Sequence, residues 1–176
     1  GGWDYMDDDV HRPNFADIGY AKGVPMGGDL VNAPKGKAPR FIVQAAKDPD
    51  GANLDRVQVV KGWLDANGKT QEKVYDVALA DGRKPGAKAT SIGSTVDVDN
   101  ATYTNTIGDA ELATVWTDPD FDGSERAFYY VRVIEIPTPR WTAFDKKFFN
   151  AEMPEKAVMA GQERAYTSPI WYTPSN

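Results

Sequence analysis

The sequence predicts an all-β domain, an antiparallel β-sandwich, and three observations carry that expectation. Residues 54–63 (LDRVQVVKGW) set Val57, Val59 and Trp63 against Arg56, Gln58 and Val60, the period-two alternation of a half-buried strand. Asp65-Ala66-Asn67-Gly68 then supplies the Asn-Gly pair that tight hairpins favour. Finally, residues 126–136 (RAFYYVRVIEI) are apolar on both faces, as at the centre of a sheet packed on two sides.

Taken in order, residues 1–38 are read as an irregular connector and residues 39–176 as the sandwich. Within the connector, Gly19 to Leu30 (GYAKGVPMGGDL) carries four glycines and a lysine. A phosphate-binding loop needs glycines at fixed offsets so that successive backbone N–H groups converge on the anion. Gly19, Gly23, Gly27 and Gly28 match neither such spacing, and Lys22 precedes the glycines it would have to follow. The stretch therefore reads as a turn-rich segment lying over a neighbouring surface.

Arg40 to Ala46 is a short apolar strand closed by the turn Asp48-Pro49-Asp50-Gly51. Glu72 to Ala80 completes the hairpin, with Tyr75, Val77 and Leu79 inward. Residues 81–110, rich in Gly, Pro, Ser, Thr and Asp, read as a long excursion with at most a short strand at Thr95 to Val98. Leu112 to Trp116 and Ala165 to Tyr172 supply further strands, and Pro169 demotes part of the last one to an edge or bulge. Phe144 and Phe148, four apart, predict one short helix over Thr142 to Asn150. The pattern Tyr129-x-Val131-Arg132-Val133 resembles a tyrosine corner, in which a Tyr entering a late strand bonds back to the preceding loop; this points to an immunoglobulin-like sandwich.

Composition narrows the chemistry. A chain of 176 residues suits one domain, and a globule of this size buries about 70% of its unfolded surface without staples. With no cysteine there is no disulfide framework, thiolate zinc site or cysteine nucleophile. A formal net charge of −6 disfavours nucleic acid and anionic membranes as partners. No apolar run approaches the roughly 18 residues of a membrane span. The opening Gly1-Gly2-Trp3, without an initiator Met or a basic-plus-apolar leader, reads as part of something longer. His11 is the only histidine, beside Asp7, Asp8 and Asp9; an acidic run of this kind is a solvated face or part of a metal shell. A single histidine disfavours three-ligand zinc hydrolysis and leaves a Ser-His-Asp triad only this residue to use.

The sharpest local motif is Asp118-Pro119-Asp120-Phe121-Asp122-Gly123. Carboxylates at alternate positions before a glycine are how a calcium loop brings hard oxygen ligands around the ion, which makes Asp118, Asp120 and Asp122 candidate calcium ligands. The twelfth position is Tyr129 rather than a bidentate Glu, and a strand follows instead of a helix, so the same residues also read as an acidic turn feeding a strand. Five tryptophans allow a carbohydrate-binding module; Trp63 and Trp116 sit in strands and read as core, whereas Trp141 follows a proline-rich segment and reads as exposed or packed between domains. Asn100-Ala101-Thr102 is a formal glycosylation sequon, meaningful only in a eukaryotic secretory setting.

Five stretches, GYAKGVPMGGDL, DRVQVVKGWLD, YTNTIGDAELATVWTDPDFD, RAFYYVRVIEIPTPRWTAFD and QERAYTSPIWYTP, closely resemble the C-terminal part of large bacterial proteins grouped as domain of unknown function 3604. Its members resemble PHP-type metal-dependent phosphoesterases in an N-terminal portion rich in His and Asp, and many carry export signals. The resemblance implies an accessory sandwich on a hydrolase-like parent, partnered by that N-terminal portion, in the periplasm or outside the cell. It carries no catalytic residue into this chain, which has no His-x-His pair. It also makes Gly19 to Leu30 the connector between the two portions, with Val24-Pro25-Met26 packing against the other one. The rival reading is a calcium-assisted carbohydrate-binding module, which requires a flat exposed face carrying Trp141 or Trp116 near Asp118 to Asp122.

Overall fold

The computed structural model describes residues 1–86 and 90–174. The five long strands follow the apolar alternation closely: β2 (Arg40–Ala46), β3 (Leu54–Leu64), β4 (Thr70–Leu79), β5 (Glu111–Thr117) and β6 (Ala127–Glu135). Five short strands accompany them: β1 (Asp29–Leu30), β7 (Thr138–Pro139), β8 (Ala160–Gly161), β9 (Arg164–Tyr166) and β10 (Ile170–Tyr172). The largest sheet has six strands in the order β1-β10-β6-β3-β4, with β9 pairing β6. Every pairing is antiparallel except β1 with β10. β2 and β5 form a separate antiparallel pair, and β7 with β8 another.

The fold is an all-β sandwich-like arrangement, because the inner face of the large sheet is apolar and needs a cover. Phe41 and Val43 of β2 and Leu112 of β5 cluster with Val57 and Val59 of β3, Val77 of β4, Tyr129 of β6 and Ile170 of β10. Each such side chain withdrawn from water contributes ~1.5–3 kcal/mol. β6 is central, with β3 along one edge and β9 and β10 sharing the other. Pro169 breaks what the alternation suggests is one strand over Ala165 to Tyr172; β9 and β10 flank it, and the Pro169 carbonyl accepts from the Gly27 amide instead.

Two expectations need correction. The segment 1–38 is not irregular: it contains a 3-10 helix over Asp7–His11, helix α1 over Phe15–Lys22 and strand β1. Leu30 enters the core, and Gly2 bridges both Gly23 and Arg40. Among the described residues there are therefore two α-helices where one was expected, the second being α2 (Trp141–Phe149), which begins one residue before the predicted span. The excursion agrees with the expectation of at most a short strand over Thr95 to Val98: there Asp97 makes an isolated bridge to Thr102. Residues 87–89 of the long excursion and 175–176 of the sandwich segment lie outside the described residues.

Candidate functional site

The Asp118–Gly123 segment leaves β5 and returns into β6, at the end of the sandwich where β3 carries Lys61 on its inner face. Lys61 is 2% exposed and Asp118 1% exposed, so the pair is a buried ion pair with Nζ 2.7 Å from Oδ2. The same carboxylate accepts the Tyr129 hydroxyl at 2.7 Å and the Asp120 amide at 2.9 Å. Lys61 also donates to the Asp120 carbonyl at 2.7 Å and lies 5.1 Å from the centre of the Trp63 ring. Burial, followed by the Asp118 charge, pushes the Tyr129 hydroxyl far above its ordinary value, so it stays a donor. Tyr129 thus bonds back to the loop before its strand through a carboxylate.

The other two acids of the motif point elsewhere. Asp120 accepts from Lys73 and from the Tyr75 hydroxyl, and the Lys73 bond, ahead of the Tyr75 one, holds its carboxyl below the usual range. Asp122 accepts from the Ser124 hydroxyl and amide, which lower it in the same way, the hydroxyl foremost. Each carboxylate has its own protein donors, and among the described residues no group of three or more His, Cys, Asp or Glu converges as a metal shell does. At the N-terminus Asp7 pairs with Arg40, and buried Asp9 turns inward to Lys22 Nζ at 2.6 Å and the Met6 amide at 2.8 Å, while His11 is exposed. The Lys22 bond is the main reason the Asp9 carboxyl is lowered.

A third buried carboxylate, Asp55, escaped the sequence reading. It accepts from Arg83 and Arg56 and from Gln162 Nε2 at 2.9 Å, tying β3 to the start of the long excursion and to the β8–β9 turn. No local pattern marks it, because apart from the adjacent Arg56 its partners lie 28 and 107 residues away.

The tryptophans divide by face. Trp116 packs against Phe41 and Tyr75 at ring separations of 5.9 and 4.8 Å. Trp141, 63% exposed, starts α2 beside the exposed Phe144 and Phe148. The aromatic surface of the large sheet is carried instead by Trp171, Phe128, Tyr130 and Tyr166, rings on neighbouring strands β10, β6 and β9.

Gly19 to Leu30 runs along the mouth of an apolar cleft of about 440 Å³ between β2 and the β9–β10 break. Phe41, Val43, Val59 and Tyr129 line the cleft from the core, and Tyr20 and Met26 line it from the N-terminal segment. Tyr20 is 72% and Met26 61% exposed, whereas Val24 is half-buried against the core. Gly23 is required by close packing, since a Cβ there would sit 2.1 Å from the Gly1 carbonyl oxygen and 2.3 Å from the Tyr5 hydroxyl. Gly19 lies within α1, which ends at Lys22, and Gly23, Gly27 and Gly28 beyond it serve packing and turns.

A family described as "Protein of unknown function (DUF3604)" matches residues 1–174. The chain belongs to the DUF3604 family. No curated protein and no solved structure matches it. The match extends over both N-terminal helices, so the cleft-lining segment and the sandwich are parts of one DUF3604 region. No helix among its described residues is long and apolar enough to cross a membrane.

Proposed function

We propose that this DUF3604 region is a non-catalytic accessory sandwich that docks onto a PHP-like, metal-dependent hydrolase portion of the same polypeptide and shapes that portion's active site. The observation that carries the reading is the apolar cleft with exposed Tyr20 and Met26 at its mouth. Exposed apolar side chains at the rim of an apolar cleft are surface that a docked partner would cover. The buried ionisable groups support the same reading from the other side: Asp118 with Lys61, and Asp55 with Arg56 and Arg83, are consumed by internal pairs that hold loops in place. A metal-dependent activity then belongs to the docked portion, and this chain supplies position and shielding.

The test is reconstitution: this chain and the separately produced hydrolase-like portion are mixed and analysed by size exclusion and calorimetry. Wild type is expected to form a one-to-one complex, and Met26→Asp together with Tyr20→Asp to abolish it while leaving the thermal midpoint of the chain unchanged. Absence of a complex with wild type, or a complex indifferent to both substitutions, contradicts the reading.

A further inference from the structure

We propose that the outer face of the six-stranded sheet binds an extended glycan, whose sugar rings stack along the row Trp171, Phe128, Tyr130 and Tyr166. The proposal does not depend on the docking role of the cleft, which opens between the sheets.

The row follows from strand alternation. Ala127, Tyr129, Val131 and Val133 of β6 join the core, so Phe128, Tyr130 and Arg132 face outward. Register places Trp171 opposite Phe128 and Tyr166 opposite Arg132. The ring centres are 5.3 Å apart from Trp171 to Phe128, 6.4 Å from Phe128 to Tyr130 and 6.3 Å from Tyr130 to Tyr166. The Phe128 and Tyr130 ring planes are nearly parallel, at 10°. Trp171 and Tyr166, at the two ends, are 48% and 57% exposed. Gly62 of β3, opposite Phe128, lets that ring lie across the strand: a Cβ would stand 2.4 Å from the ring tip.

A fixed polar row runs beside the rings. Arg132 Nε donates to Gln58 Oε1 at 2.8 Å, and Gln58 Nε2 donates to Asp76 Oδ1 at 2.7 Å. Arg56 Nη1 donates to Asp76 Oδ2 at 3.1 Å, which closes the chain across three strands. This network orients Arg132 through Nε and leaves its two terminal nitrogens without a hydrogen bond among the described residues. At the Trp171 end the platform continues into a groove of about 610 Å³ lined by Gln71, Glu72, Arg126 and Phe128.

A pyranose ring presents a C–H face and a rim of hydroxyls together, and this surface offers π-faces beside oriented donors and acceptors together. An apolar protein surface would cover the rings but strand the polar row without water, which is costly. Nucleic acid, the other partner that stacks on aromatic rows, is disfavoured by the net charge of −6.

The experiment is native affinity electrophoresis of this chain in gels containing hydroxyethylcellulose, xylan, laminarin or alginate, with pull-down on cellulose and chitin. Binding to at least one glycan is expected, unchanged by EDTA. Trp171→Ala should weaken it at least tenfold, equivalent to ~1.4 kcal/mol. Trp171→Phe should restore most of it, and Trp141→Ala should leave it intact. Trp171 is half-exposed and packs on Phe128, so its substitution by Ala is expected to lower the thermal midpoint by about 2–4 °C while circular dichroism shows the fold retained. Failure to bind any of these glycans overturns the proposal, as does binding indifferent to Trp171→Ala. A wild-type dimer that Trp171→Ala dissociates also overturns it, because the face is then covered by a second copy.

Discussion

Replacing Lys61 by Met isolates the buried pair that fixes the Asp118 loop. Met preserves the apolar stem and removes the ammonium, leaving the Asp118 carboxylate buried with only the Tyr129 hydroxyl and the Asp120 amide as donors. Breaking a buried pair by removing one partner costs about 3–5 kcal/mol, because the remaining charge is uncompensated. For a domain of this size each kcal/mol shifts the midpoint by ~2–4 °C, so Lys61→Met should melt about 6–20 °C lower. Asp118→Asn in the same chain removes the orphaned charge yet keeps an oxygen for the Tyr129 hydroxyl, and the double variant should recover more than half of the loss. Urea titrations followed by tryptophan fluorescence and circular dichroism supply the double-mutant cycle. A single-variant loss below about 1 kcal/mol, or singles that add without coupling, would refute the reasoning.

Other expectations follow from the same contacts. Excess calcium and EDTA should give superimposable thermal melts, because each motif carboxylate already has its own donors; a rise of several degrees that disappears in Asp120→Asn would place an ion there. Asp9, Asp65, Asp97, Asp120 and Asp122 all have lowered carboxyl values, so their stabilisation is complete above about pH 4, the unfolded range, and is lost as pH falls through the folded values. The melting midpoint should accordingly fall steeply below pH 4, and a midpoint that rises on acidification would contradict this. Gly62→Ala should cost about 1–3 kcal/mol and alter the near-ultraviolet dichroism as Phe128 is displaced, since its ring occupies the space of the new methyl. An unchanged spectrum and midpoint would show that the ring moves freely.

What the sequence made legible is what short-range alternation encodes. β2 spans the predicted Arg40–Ala46, and the Asp65–Gly68 turn joins β3 and β4 as the Asn-Gly pair implies, with the Gly68 amide donating to the Asp65 carbonyl at 2.8 Å. Lys61 was hidden by the same logic: it lies in phase with Val57, Val59 and Trp63, yet a lysine in that phase reads as a break in the pattern until its carboxylate partner, 57 positions later, is known. Helix α1 was missed because it buries no residue fully and has no apolar stripe; tertiary contacts hold it, among them the Tyr5 hydroxyl on the Gly19 carbonyl at 2.7 Å. The Trp171–Tyr166 row was illegible for a related reason, since its four rings come from three strands that only the sheet order makes neighbours.

Hydrogen exchange of this chain joined to the hydrolase-like portion proposed for it, compared with this chain alone, tests the accessory-domain account most directly. If the cleft is a docking surface, amides around Tyr20–Met26 and Ile42–Gln44 exchange at least tenfold more slowly in the longer protein, while the β3–β6 ladder exchanges alike in both. Equal exchange around the cleft in the two proteins would contradict the account.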